Sequence, residues 1–186
     1  MVMIVLRLVA QQGALMPDAH EGFGLPIEGV LATSHDVVIP YAVGVDIACR
    51  MCVFVFPMGA DYLQGNGQSL SQLLMVNTVF GFGAKNKNHL NTMVFDRPEW
   101  NDTKFIRQHR DLAYSQLGTS GAGNHFVEWG ILRVGQACPE LHVDKGEHFA
   151  LLSHSGSRGF GSEVANYYSR LAMERVNLPS EAKRLA

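Results

Sequence analysis

The sequence predicts one domain in which sheets alternate with helices, of the α+β or α/β class, and three observations carry that expectation. The chain has 186 residues, 47% apolar and 17% charged, enough for one sizeable core and too apolar for a disordered segment. Short β-rich runs dominate its first third and return near residues 124 and 148. Between and after them lie three stretches with apolar residues at helical spacing. The order of the strands cannot be read from the sequence, and neither an internal repeat nor a low-complexity tract is present.

Taken in order, the opening "MVMIVLRLVA" is apolar and β-branched, and Ile4 to Val9 reads as a buried strand. Gly29 to Ala32 and Val37 to Ile39 read as further short strands. "MCVFVF" from Met51 to Phe56 lacks polar alternation, so it should be buried on both faces. A glycine- and asparagine-rich stretch, Gly65 to Gly67, precedes "SLSQLLMVNTVF", which reads as a helix capped near Ser69. Gly81 to Trp100 is polar and irregular, and its "AKNKNH" reads by default as solvated surface, the alternative being a mobile basic loop. From Thr103 to Leu117, Phe105, Ile106, His109, Leu112, Ala113 and Leu117 fall on one helical face, and Gly118 stops the helix. "NHFVEWGIL" and "HFALLSH" read as strands. After "SGSRGFGS" comes a helix with Val164, Tyr167, Tyr168, Leu171 and Val176 on one face.

Composition narrows the function classes. A formal charge of −2 gives no general attraction to polyanions, so a nucleic-acid site must be local. Neither a signal peptide nor a run of membrane-spanning length is evident. Cysteines number 3, an odd count that suits a cytoplasmic protein whose thiols are ligands or catalysts rather than staples. Both ends read as cut, which suggests part of a larger protein.

Three motifs carry chemistry. In "GVDIACRMC", Asp46 and Cys49 stand three residues apart, and a turn between them would let a carboxylate and a thiolate meet one ion. The rival readings are a redox pair, Cys49 with Cys52, and plain buried cysteines. In "SGAGNHFVEWG", Gly121 and Gly123 allow close backbone approach, and Asn124, His125 and Glu128 follow. If the strand begins there, His125 faces one side while Asn124, Phe126 and Glu128 face the other, a metal on one side and a polar organic ligand on the other. In "LLSHSGSRGFGS" an apolar strand delivers His154. Small residues and Arg158 then open a helix, a combination suited to phosphate although no Walker lysine follows. Singly, each motif has an ordinary structural reading. Jointly, Asp46, Cys49, His125 and His154 supply donors for first-row metal ions beside a phosphate-seeking loop, which points to metal-assisted phosphoryl chemistry.

Four blocks, "MPDAHEGFGLPIEGV" (16–30), "VGVDIAC" (43–49), "GAGNHFVE" (121–128) and "HSGSRGFG" (154–161), resemble in identity and order those of the RtcB family of GTP- and manganese-dependent RNA ligases. The resemblance implies an α+β fold of mixed sheets with flanking helices, incomplete at both ends, with residues 1–186 forming one partial domain from the N-terminal part of the catalytic core. It implies a two-manganese centre held by Asp46 and a bridging Cys49, with His125 on one ion and His154 on the other. It places Asn124, His125, Phe126, Val127 and Glu128 against the guanylate, Glu128 accepting from the guanine edge and Phe126 packing near the base. Arg158 would hold a phosphate of the RNA. Asp18 and His20 match a block without an evident role.

Such ligases join RNA bearing a 3′-phosphate or 2′,3′-cyclic phosphate to RNA bearing a 5′-hydroxyl through a guanylylated histidine, in tRNA splicing and RNA repair. The resemblance places that histidine beyond Ala186. His35, His89, His109, His142 and His148 fall in no matching block, so the chain is expected not to complete catalysis alone, and to associate with itself or a missing half. The alternative is a metal- and nucleotide-binding remnant, or half of a split protein, without ligase activity. Ala48 and Arg50 replace the Asn and Gly that usually flank the cysteine, and Glu28 replaces a usual Gly, marking a divergent branch. Manganese itself follows from the resemblance only, because thiolate alone favours softer ions.

Overall fold

The computed structural model describes residues 10–22 and 25–185. The expected strand Ile4 to Val9 lies outside them. The chain divides into two compact units, one made of residues 1–47 and 160–186, the other of residues 48–159.

In the first unit, β1 (Ala10–His20) and β2 (Ile27–Thr33) form an antiparallel ribbon paired from Ala10↔Thr33 to His20↔Ile27. β2 contains the expected run Gly29 to Ala32. β1 was not legible: most of its side chains are exposed, so burial imposes no alternation, and Pro17 argues against a strand unless it lies on an edge. Val37 to Ile39 is not a strand but irregular chain leading into a 3-10 turn at Pro40–Val43. The Arg184 guanidinium lies 5.5 Å from the centre of the Tyr41 ring. Ile39, Ala165 and Leu185 are buried.

The second unit is built on a three-stranded antiparallel sheet in the order β3 (Arg50–Gly59), β5 (Gly146–Ser155), β4 (Phe126–Val134). Register fixes its faces. Met51, His154 and Phe126 stand in one row, and Val53, Leu152 and Glu128 in the next row on the same face. The opposite face carries Cys52, Ser153 and Val127, then Phe54, Leu151 and Trp129.

α1 (Asp61–Asn77) is tied to that opposite face, for Trp129 Nε1 donates to Leu70 O at 2.9 Å. The Phe149 ring lies 5.0 Å from Trp129, 5.3 Å from Phe56 and 5.2 Å from Tyr62. Phe149 is 1% exposed and Leu70 4%, and these side chains are the centre of the core. α1 begins eight residues before the expected Ser69 and runs through Gly65 and Gly67. Each glycine costs about 1 kcal/mol in a helix, and the packing of Leu70 and Tyr62 outweighs that preference.

The expectation that Met51 to Phe56 is buried on both faces is corrected. Met51 is 58% exposed and Phe54 50%, because among the described residues β3 is an edge strand with no sheet neighbour on its outer side.

Irregular chain follows, as expected, from Gly81 to 3-10 turns at Met93–Asp96 and Pro98–Asn101. α2 (Lys104–Gln116) then starts at Thr103, whose hydroxyl accepts from Ile106 N at 3.1 Å. It ends before Gly118, which has a φ of 76°. α3 (Arg158–Arg175) begins inside the glycine-rich motif, its first two residues belonging to the second unit.

Candidate metal centre

Cys49 immediately precedes β3, His125 immediately precedes β4, and His154 is the penultimate residue of β5. Antiparallel register brings the start of β3, the end of β5 and the start of β4 to one edge of the sheet, and the three side chains meet there. Cys49 Sγ and His125 Nε2, 76 residues apart in sequence, are 3.9 Å apart, and one ligand atom from each of Cys49, His125 and His154 lies within 4.8 Å of the others. The His125 and His154 rings meet edge to face with centroids 5.4 Å apart.

This donor set fits a metal ion. Metal–sulfur and metal–nitrogen bonds of about 2.3 and 2.0 Å would put ligand atoms roughly 3.5 Å apart, so contraction of about 1 Å by side chains, one of them exposed, closes the shell. One thiolate with two imidazoles suits a borderline-soft first-row ion.

The remaining candidates fall as follows. Asp46 is half-buried in the bend at the end of the first unit. Cys52 lies on the sheet face opposite His154, inside a strand, which removes the helical setting a redox CxxC pair uses. Cys49 and Cys52 are both exposed, so neither is a buried structural cysteine. Asn124 and Glu128 are exposed, while Phe126 and Val127 are half-buried.

The expected division of a metal side from an organic side is corrected. The ladder begins only at Phe126, because Gly121 and Gly123, with φ of 100° and 73°, turn the chain just before it. His125 is therefore outside the strand alternation, and His154 meets both the His125 ring and, at 5.5 Å, the Phe126 ring.

A polar scaffold behind the donors was not read from the sequence. Arg158, at a φ of 56°, donates through Nε to Thr119 Oγ1 at 2.8 Å and through Nη2 to Gly81 O at 3.2 Å. Gln116, 3% exposed, accepts from Gly159 N through Oε1 at 2.8 Å and so caps the start of α3. Gly81 N donates to Gly121 O at 2.8 Å, and Ser155 Oγ to Thr119 O at 3.3 Å. Gly121 is the tightest point: a Cβ there would lie 2.5 Å from both Arg158 Nη1 and His125 Nδ1. The available signal was "QLGTSGAG", whose small residues pack a turn against an arginine.

Three of the other histidines have local partners. His109 Nδ1 donates to Phe105 O at 2.8 Å, His148 Nε2 donates to Asp144 O at 2.8 Å, and His89 stacks on Tyr114. Among the described residues, none of them joins the Cys49 cluster. No described helix is long and apolar enough to cross a membrane.

Comparison with known proteins bears on the family. A family model described as tRNA-splicing ligase RtcB matches residues 2–100 and 96–186. The chain is 29% identical over 178 residues to the RNA-splicing ligase RtcB of Escherichia coli K12, covering 88% of this chain and 40% of that protein. It is 30% identical over 203 residues to the tRNA-splicing ligase RtcB of Nanoarchaeum equitans, covering 90% and 42%. With the tRNA-splicing ligase RtcB of Thermococcus kodakarensis the identity is 28% over 198 residues, covering 88% and 40%. The chain thus spans about two fifths of the length of these relatives.

Proposed function

Because the chain belongs to the RtcB family, we propose that it supplies the metal- and nucleotide-binding part of an RNA ligase that joins 3′-phosphate or 2′,3′-cyclic phosphate ends to 5′-hydroxyl ends with GTP. The carrying observation is the meeting of Cys49, His125 and His154, drawn from three separate blocks, at one edge of the sheet.

Cys49, His125 and His154, with Asp46 as an oxygen donor, would hold the metal ions, manganese by family likeness. Bound there, the metal supplies positive charge that neutralises phosphoryl oxygens. The protein's own groups set the rest. Phe126, on the same face as His154, would offer an aromatic surface to the guanine, with Asn124 and His125 before it in the chain and Val127 after it on the opposite face. Glu128 stands one row further along that face, where its carboxylate would accept from the guanine N–H edge. Arg158 at the start of α3 presents a planar fork suited to an RNA phosphate. Its bonds to Thr119 and Gly81 hold that fork in place, so little side-chain entropy remains to be lost on binding.

A second reading is metal and nucleotide binding without ligation, favoured by the chain's coverage of about two fifths of its relatives. Incubation with radiolabelled GTP and Mn²⁺, followed by an assay joining a cyclic-phosphate RNA to a 5′-hydroxyl RNA, separates the two. Ligation by the chain supplied together with the remaining part of a family ligase, lost when Cys49→Ala is supplied instead, supports the first reading. Reversible, metal-dependent GTP retention without covalent label or joined product supports the second. Failure to retain metal or nucleotide overturns both.

A further inference from the structure

The loop from Gly81 to His89 is the feature that the metal centre leaves unexplained. Phe82 is 93% exposed, the most exposed large apolar side chain among the described residues. It is flanked by Gly81 and Gly83, with φ of 121° and 65°. A lone exposed apolar residue is ordinary, but this one has a fixed address. The carbonyl of Gly81 accepts from Arg158 Nη2 at 3.2 Å, and Gly81 N donates to Gly121 O at 2.8 Å. Gly121 is in turn the residue pressed against His125. Phe82 therefore follows directly on a peptide bonded to the scaffold of the metal centre.

The far side of the loop is anchored as well. Asn86 N donates to Ser115 O at 2.8 Å and Asn86 Nδ2 to Leu117 O at 3.3 Å, while the His89 ring stacks on Tyr114 at 4.9 Å. With Asn86 turned inward, its neighbours Lys85 and Lys87 are exposed, and among the described residues neither has an acidic partner. No Asp or Glu occurs between Asp61 and Asp96. A chain of net charge −2 thus displays a locally cationic loop with an aromatic tip, anchored at both ends beside the metal centre. An apolar protein partner would gain nothing from the two lysines. A single-stranded nucleic acid uses both features, because each base has a face that can stack and each phosphate a charge.

We propose that this loop is a single-strand RNA contact, Phe82 stacking on a base and Lys85 and Lys87 meeting phosphates of the strand whose end reaches the metal centre. The assignment rests on the RNA-ligase reading for the identity of the strand.

The test is fluorescence anisotropy of the 186-residue protein with a labelled ten-nucleotide uridine RNA carrying a 3′-phosphate, over a series of salt concentrations, without GTP or metal. Phe82→Ala is expected to weaken binding about tenfold, whereas Phe82→Trp preserves or tightens it. Lys85→Ala combined with Lys87→Ala is expected to flatten the log–log salt dependence by about 1.4, roughly 0.7 per phosphate contact. Unchanged affinity in Phe82→Ala at every salt concentration overturns the proposal. So does the absence of single-strand binding by the wild type, or loss of self-association in Phe82→Ala at unaltered RNA affinity, which would make the loop a protein contact. Because binding is read without GTP or metal, failure to ligate leaves the proposal standing. Intact ligation with an indifferent Phe82→Ala would sink the loop assignment alone.

Discussion

The two ends of the β3–β5–β4 sheet are held by different forces. Around Phe149, side chains of β3, β4 and α1 converge as aromatic rings, and burial of apolar surface does the work. Around His154, β3, β4 and β5 end together, and the support comes from hydrogen bonds that Arg158, Gln116 and Ser155 make to turns. Apolar packing tolerates small shifts and contributes stability; a bonded backbone fixes positions and contributes geometry. It follows that stability and metal binding should separate when each end is altered.

The largest effect is expected at the apolar end. Phe149→Ala removes the most buried aromatic ring among the described residues, and such truncations cost about 3–5 kcal/mol. Urea denaturation should show that loss. A value below about 1 kcal/mol would mean that the core lies elsewhere.

Cys49→Ala should do the reverse. The residue is exposed, so the metal-free protein should melt within about 0.5 kcal/mol of wild type, while metal retained after dialysis falls at least tenfold. Equal metal content in both proteins would exclude Cys49 as a ligand. A large loss of metal-free stability would break the proposed separation of the two ends.

Gly121→Ala probes the junction of scaffold and donors. The new methyl meets Arg158 and His125 at 2.5 Å, at a backbone φ of 100°, so both the strain and the displaced imidazole fall on the centre. A stability loss of about 1–3 kcal/mol with severalfold weaker metal binding is expected, from a chelator competition titration run beside the melt. Gln116→Ala leaves Gly159 N without its acceptor and should cost about 1–3 kcal/mol, with a smaller effect on metal. If Gln116→Ala proves the more harmful to metal binding, α3 rather than Gly121 governs the donors.

Legibility in the sequence follows the same division. Strands and helices with a periodic buried face, such as α2 with its Thr103 cap and the β4 and β5 runs, could be read because burial imposes a period. The β1 strand, with few buried side chains, could not, and the first two turns of α1 are hidden because the sequence shows its glycines but not what Leu70 packs against. Three of the four candidate donors, Cys49, His125 and His154, could be read as residue types at strand ends, whereas Asp46 lies in a bend. The Gln116 and Arg158 bonds could not be read, since contacts between residues 39 and 43 positions apart leave no local pattern. The exposed β3 edge likewise could not be foreseen, because an apolar run looks alike in a central strand and at a bare edge.

The smallest expected effect lies outside that sheet. Glu28 sits at a φ of 61°, third in a turn closed by Gly29 N donating to Pro26 O at 3.0 Å. A left-handed third residue is the mark of turns that favour Gly, and Gly is also the residue the resemblance leads one to expect there. For an L-residue the left-handed region costs about 1–2 kcal/mol, whereas glycine enters it without a Cβ penalty but brings more freedom to the unfolded chain. The two effects oppose, and the steric one is the larger. Glu28→Gly should therefore stabilise the protein by up to about 1 kcal/mol, raising its melting temperature by a few degrees. Metal retention should stay unchanged, because the hairpin supplies none of the Cys49, His125 and His154 donors. A lower melting temperature would show that Glu28 makes a contribution in place that outweighs the backbone strain. Altered metal content would show that the hairpin and the centre are coupled.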